Sequence, residues 1–454
     1  MHTTLLLSAF AAALTSVRAS IDLNGPQNIA VYWGQNSIGT TDSTAQKRLS
    51  YYCQNSNDVD IYLISFITRF SGTGGYPAVN FANAQDNCTA ISGTDLFNCP
   101  QIAEDIKTCQ GLGKTILLST GGGTYTEGGF TSEAAAVSGA NTVWNVFGPV
   151  PSDSSIPRPF GDAVIDGFDF DFENLQMSNM PAFANQLRKL YASDTSKTYY
   201  TTAAPQCVYP DEADGPMLAG TVYFDAIWVQ YYNNGCGINS YVPGATTQWN
   251  FNFDVWDNWA KTVSLNPKVK VYLGVPGRTG AGGGYEPASF VGEVISFIKQ
   301  YSSFGGIMIW DASQAWANDG FISSVYSYLP TGSTAPTTST TAPATTSTTS
   351  TTATTTATTL TTLTSSKTTT TTSIITTSKT TTSKTTTSTA PSSTCPVSGG
   401  SCSSNGAYAC TGNSFGICDN GKWVIESCPS GDVCVQAGSS VYCGASGSSE
   451  PVCA

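Results

Sequence analysis

Residues 20–330 predict an α/β fold, a (β/α)8 TIM barrel, and two observations support it. Strand-length apolar segments recur eight times along the region, and helix-length amphipathic segments separate several of them. Apolar strands alternating with helices make a parallel sheet, and eight such units in roughly 300 residues close it into a barrel. An open doubly wound sheet is the alternative. However, no G-x-G-x-x-G follows the first strand, and the glycines at 121–123 and 282–284 lack the Gly-Lys-Ser/Thr of a phosphate loop. Those glycines read as turns, or as backbone that a substrate approaches.

In chain order the strands are NIAVYWGQ (28–35), VDIYLISFI (59–67), KTILLSTGG (114–122), VIDGFDFDFE (164–173), KTYYTTAAP (197–205), FDAIWVQYY (224–232), KVKVYLGVP (268–276) and GGIMIWD (305–311). Helical patterns between them include QIAEDIKTCQGLG, MPAFANQLRKLYA, WDNWAKTVSLN and PASFVGEVISFIKQYSS. Ahead of the barrel, residues 1–19 resemble a secretory signal peptide. An apolar run from Leu5 to Leu14 precedes Val17-Arg18-Ala19, a small-residue cleavage site, although the positive end is weak. Behind the barrel, residues 331–394 are almost wholly Thr and Ser with scattered Pro, Ala and Lys. They cannot build a core and are expected to be an extended, O-glycosylated spacer. Residues 395–454 are short and rich in Cys and Gly, a module that disulfides must hold.

Fourteen cysteines, six before residue 240 and eight after 394, fit an oxidising compartment, and each even set can close its own disulfides. No close C-x-x-C pair suggests zinc. No other apolar run is long enough to span a bilayer, and the terminal SGSSEPVCA has no hydrophobic tail for a lipid anchor. The net charge of −12 argues against nucleic acid as a partner. The sole histidine, His2, would leave with the signal peptide. A Ser-His-Asp triad, a Cys-His pair and a histidine-bound metal are then excluded, so any catalysis must use carboxylates, tyrosines or main-chain groups.

The fourth strand contains Asp166, Asp169, Asp171 and Glu173 in an apolar run. Alternation puts Asp169, Asp171 and Glu173 on one face and Phe168, Phe170 and Phe172 on the other. In a barrel the phenylalanines meet the helices, and the acids line the interior towards the C-terminal mouth, where barrel active sites lie. Crowded, buried carboxyls resist ionising together, so a proton is expected on Glu173 at the strand end, as in a general acid. A calcium site or a purely structural cluster is the plainer alternative, but calcium draws its ligands from flexible loops.

Read alone, this strand suggests an acidic glycosidase, but the separate carboxylate nucleophile that a retaining glycosidase places across the sugar is harder to find. Other strand ends offer Asp225, Glu286 and Asp311, none compelling. Asp171 would sit beside Glu173 rather than opposite it. A 2-acetamido oxygen on the sugar can supply the missing nucleophile, with Asp171 orienting the acetamido nitrogen. The expected substrate is therefore an N-acetylglucosamine polymer.

VIDGFDFDFE resembles the D-G-x-D-x-D-x-E signature of glycoside hydrolase family 18. IAVYWGQN (29–36), STGGG (119–123), YTTAAPQCVYPD (200–211), WVQYYNN (228–234) and GGIMIW (305–310) resemble plant class III and fungal chitinases. The resemblance implies Glu173 as proton donor and later base, Asp171 as the acetamido-positioning acid, and Asp169 as an inner aspartate hydrogen-bonded to Asp171. It makes Asp166 a structural member of the motif. It also implies Tyr232 as donor to the acetamido oxygen, Gln35 and Gln230 as cleft residues, and Trp310 as the floor under the −1 sugar. It further implies the disulfides Cys53–Cys109, Cys88–Cys99 and Cys207–Cys236, a pairing that spacing alone could not select. Asn87-Cys88-Thr89 is a formal glycosylation sequon.

YACTGNSFGICDNGKWVIESCPSGDVC (408–434) looks like carbohydrate-binding module family 19. Trp423 is its candidate sugar-stacking residue, with Tyr408 or Phe415 nearby, although Trp423 could equally be the main apolar residue of a small core. Taken together, these resemblances imply a secreted, monomeric endochitinase, extracellular or cell-wall associated. It would need no cofactor or metal, and its partners would be chitin and N-acetylglucosamine oligomers. The competing readings are a lectin or inhibitor on the same barrel, a structural wall glycoprotein, and an enzyme of the same family acting on the chitobiose core of N-glycans. Retention of Glu173, Asp171 and Tyr232 weighs against the first two.

Overall fold

The computed structural model describes residues 21–23, 25–331, 396–402, 408–419, 421–427, 432–437 and 440–445. The expected signal peptide, and the expected spacer beyond residue 331, lie outside these. The chain divides into two compact units, residues 1–343 and 344–454.

The first unit is a closed barrel. Its eight strands are β1 (Asn28–Trp33), β2 (Ile61–Arg69), β3 (Thr115–Gly121), β4 (Gly167–Asp171), β5 (Tyr200–Ala203), β6 (Ala226–Gln230), β7 (Lys270–Pro276) and β8 (Phe304–Trp310). Neighbours pair in parallel all the way round, and β1 pairs with both β2 and β8, so no edge is left open. Helices follow at the expected segments, as Pro100–Gly111, Met180–Ser193, Phe253–Thr262 and Ala288–Ile298. Two more, Glu133–Phe147 and Phe321–Tyr328, also pack buried faces on the sheet.

Strand alternation sorts the core into two layers. Tyr32, Leu63, Leu117, Trp228, Tyr272 and Met308 fill the barrel interior, while Phe168, Phe170 and Phe172 join the layer between sheet and helices. There Phe170 meets Phe183 edge-on at 6.1 Å and Phe172 meets Tyr125 at 4.9 Å. Three disulfides tie the barrel's loops and helices: Cys53–Cys109, Cys88–Cys99 and Cys207–Cys236.

The second unit contains an antiparallel sheet of β9 (Tyr408–Thr411), β10 (Ser414–Asp419) and β11 (Lys422–Ser427), and a hairpin of β12 (Asp432–Ala437) and β13 (Ser440–Ala445). Cys402–Cys418 and Cys410–Cys434 cross-link it. Trp423 stands opposite Cys418, and Phe415 opposite Glu426. Phe415 and Cys418 are an odd number of positions apart, so the Phe415 and Trp423 rings lie on opposite faces of the sheet. They therefore cannot form one stacking platform. Trp423 is half-buried and packs on Gly416, where an added Cβ would lie 3.0 Å from its ring. The Tyr408 side chain lies outside the described residues. Among the described residues, no helix is long and apolar enough to cross a membrane.

Candidate active site

The acids of β4 divide by height in the barrel. Asp166, just ahead of the strand at its N-terminal end, accepts from the Ile116 N–H (2.7 Å) and Gln110 Nε2 (3.0 Å) and pairs with Lys197 at 2.5 Å. It fastens β3, the helix before it and the segment entering β5.

Asp169 is fully buried and accepts four hydrogen bonds. Tyr32 Oη and Ser119 Oγ each reach Oδ2 at 2.7 Å, while Thr202 Oγ1 (2.6 Å) and Trp228 Nε1 (2.8 Å) reach Oδ1. Burial raises its proton affinity and these four bonds oppose the rise. The resemblance suggested a bond from Asp169 to Asp171. Here the donors around Asp169 come from four other strands, and Asp171 turns the other way, to Glu173.

Asp171 and Glu173 share that hydrogen bond at the mouth, and Gln230 donates to both, at 2.8 Å to Asp171 Oδ1. Burial pushes the Asp171 carboxyl well above the usual carboxylate range, and the charges of Glu173, Asp169 and Asp214 add to the effect. Burial raises Glu173 too, while the bonds from Gln230 and Asp171 pull it back. The sequence suggested a proton resident on Glu173. Burial raises the proton affinity of both members, so one proton is shared across the Asp171–Glu173 hydrogen bond.

Glycine lets the neighbouring strand come this close. Gly121 ends β3 with φ +110°, and an added Cβ there would meet the Asp171 carbonyl oxygen at 2.3 Å. A Cβ on Gly123 would stand 3.4 Å from Glu173 Oε2. The glycine run is thus the wall beside the acid pair.

Tyr232 lies just past β6 and is buried in the barrel interior layer. Burial and the charges of Asp171, Glu173 and Asp169 keep its hydroxyl protonated, hence a donor. Asn233 beside it has φ +61° and is clamped to Gly283, exchanging main-chain and side-chain bonds of 2.9 and 2.6 Å. Trp310 ends β8 half-buried, stacked on Phe66 at 6.1 Å and tilted against Tyr32 at 5.4 Å.

The two glutamines are less free than cleft ligands would be. Gln230 spends its amide on Asp171 and on the Ala204 carbonyl. Gln35 donates to the Ser65 and Asn80 carbonyls at 2.8 and 2.9 Å, bracing the loops after β1 and β2.

The remaining mouth carboxyls are committed elsewhere. Asp311 accepts from Ser37 N and Oγ, Ser313 Oγ and Gln314 N. Asp225 pairs with Arg188 at 2.7 Å ahead of β6, at the opposite end of the barrel. Glu286 lies in the loop well beyond β7.

Two acids were missed by sequence reasoning, both in the loop after β5. Asp211 accepts the N–H groups of Gln206 and Asp214, and burial pushes its carboxyl up to about 6. Asp214 is fully buried with no partner for either carboxyl oxygen. Burial and the neighbouring acids hold it well above the carboxylate range. YPD alone gave no sign of them, because loop acids are ordinarily solvated. No group of side chains suited to a metal ion occurs among the described residues.

A parallel barrel with a shared-proton carboxyl pair at its C-terminal mouth defines a hydrolase of the glycosidase class. The glycosyl hydrolases family 18 pattern matches residues 28–282, and a family 19 carbohydrate binding domain matches residues 379–439. The chain belongs to glycosyl hydrolase family 18. A class III chitinase of Arthroderma benhamiae is 50% identical over 328 residues, covering 72% of this chain and 92% of the relative. Chitinase 2 of Rhizopus oligosporus is 43% identical over 445 residues, covering 96% and 73%. Among solved structures, a xylanase and α-amylase inhibitor protein from Scadoxus multiflorus is 31% identical with TM-score 0.53, covering 66% of this chain and 98% of that one.

Proposed function

We propose that this protein is a secreted endochitinase. It hydrolyses internal β-1,4 links between N-acetylglucosamine units with retention of configuration, using the substrate's own acetamido oxygen as nucleophile. The observation that supports this reading best is the hydrogen-bonded Asp171–Glu173 pair. Two carboxyls in direct contact cannot stand on opposite sides of a sugar ring, which needs about 5 Å or more between them. Asp169, Asp211 and Asp311 are occupied by donors and Asp214 is fully buried, so none of these four is free to act as a carboxylate nucleophile.

Each step then has a residue. The substrate acetamido N–H takes Asp171 as acceptor, so the shared proton passes to Glu173. Glu173 gives it to the leaving glycosidic oxygen as that bond to the anomeric carbon breaks. The acetamido oxygen, receiving a bond from Tyr232, closes on the same carbon and forms an oxazolinium. Water then attacks that carbon, breaking its bond to the acetamido oxygen and restoring the acetamido group, and gives a proton to Glu173. Asp171 balances the cationic ring, and Trp310 supports the sugar's apolar face. Only water is consumed, and no cofactor is needed.

The family 19 match supports chitin as the polymer that the second unit holds. Five disulfides among the described residues fit an extracellular destination, with the signal peptide removed after residue 19. The test is Glu173→Gln. Hydrolysis of N-acetylglucosamine oligomers should fall at least about a hundredfold while oligomer binding persists. Substantial turnover in the variant would remove Glu173 from the proton-donor role. A native protein that binds oligomers but never cleaves them would favour a lectin or inhibitor.

A further inference from the structure

Glu173 lies beyond the end of its strand. The ladder of β4 stops at Asp171, whose carbonyl accepts from the Gly122 N–H at 2.6 Å. The proton donor therefore lacks the backbone pairing that fixes Asp169 and Asp171. A general acid needs a fixed position, since a displacement of about 1 Å can cost a hundredfold in rate. On the β5 side a side chain takes over from the ladder. Gln206 Nε2 donates to the Glu173 carbonyl oxygen at 3.0 Å.

Gln206 is itself held at both ends. Its Oε1 accepts from Asn234 Nδ2 at 2.9 Å, and its own N–H donates to Asp211 Oδ2 at 3.0 Å. It forms a parallel bridge with Gln230, the residue that donates to Asp171 and Glu173. The adjacent Cys207–Cys236 disulfide ties the loops after β5 and β6 together. On the β3 side Asn174 Nδ2 donates to the Gly123 carbonyl at 2.5 Å. One amide side chain thus pins each flank of Glu173.

We propose that Gln206 is a positioning residue for the general acid. It carries the β-ladder one step past the end of β4 by side chain, with Asp211 and Asn234 fixing its orientation. The inference rests on the proposed role of Glu173. It assigns Gln206 no contact with substrate and no share in proton transfer.

The test compares kcat/KM on two substrates. An N-acetylglucosamine tetramer has a leaving oxygen that must be protonated. A dinitrophenyl glycoside of the dimer has a leaving group that departs unprotonated. Gln206→Ala should lose about a hundredfold on the tetramer, mostly in kcat, and less than about fivefold on the aryl substrate. Gln206→Glu keeps the shape and tests the donor independently of packing. Once ionised it cannot donate to the Glu173 carbonyl, so its tetramer activity should fall with rising pH more steeply than that of the native enzyme. Equal losses on both substrates, or native tetramer activity in either variant across the pH range, would overturn the proposal. Glu173→Gln run alongside separates the two readings. If it stays active, the proton-donor assignment fails. If it is inactive while the Gln206 variants are unimpaired, only the positioning role fails.

Discussion

Asp169 and Asp171 are two residues apart, equally buried, and differ in what surrounds them. Four donors stabilise Asp169 as an anion, whereas Asp171 faces another carboxyl and shares its proton. Replacing Trp228 by Phe would leave Asp169 Oδ1 with Thr202 alone. Losing a bond to a buried charge should cost about 2 kcal/mol, read from the denaturation midpoint. An unchanged midpoint would mean that the fourth donor is dispensable. The face assigned to each acid was legible in the sequence, since alternation fixes it once the strand is recognised. The hydrogen-bond partners were not, because Tyr32, Ser119, Thr202 and Trp228 come from β1, β3, β5 and β6 and meet only when the barrel closes. The packing of Trp310 on Phe66 and Tyr32 was likewise invisible to pattern alone, since a strand tryptophan is ordinarily core.

At the scale of elements, the loop after β5 supplies what β4 cannot. It holds Gln206 against Glu173 and buries Asp214 with neither oxygen bonded. Asp214 keeps its proton to higher pH when folded than when unfolded. Its stabilising contribution is therefore complete below the ordinary carboxylate range and is lost as pH rises towards the folded value. That loss amounts to about 1.4 kcal/mol per pH unit. Asp214→Asn removes the dependence, so the variant should gain on the native protein by a few degrees in Tm between pH 5 and pH 7. A Tm difference independent of pH would contradict this. Sequence reading placed all eight strands but passed over the helix Glu133–Phe147. The first half of its buried face is only Ala136 and Ala140, so the periodic signal begins late, yet Ser132 caps it and Val143, Trp144, Val146 and Phe147 are buried. β4 proved shorter than its apolar run because the ladder stops at Asp171, although Phe172 still packs between sheet and helices and Glu173 still faces the mouth.

Over the whole molecule, a barrel and a small disulfide-linked β unit share one chain, and the family matches fall on both. Joining a chitin-holding unit to the barrel through the Thr- and Ser-rich segment would raise the local concentration of an insoluble polymer without adding a catalytic contact. Removing residues 331–454 should leave cleavage of soluble oligomers within about twofold of native and weaken capture by chitin beads at least about tenfold. Equal capture of both forms would count against the module. That the barrel and the Cys-rich C-terminal part are separate units was legible from composition alone. The separation of Phe415 from Trp423 onto opposite faces required the register of β10 and β11. The proposed double displacement, with the substrate as its own nucleophile, requires the anomeric configuration to be retained. Proton NMR of the products from an N-acetylglucosamine hexamer, recorded before mutarotation, tests it most directly. The new reducing ends should appear first as the β-anomer, and α-anomer appearing first would contradict the mechanism.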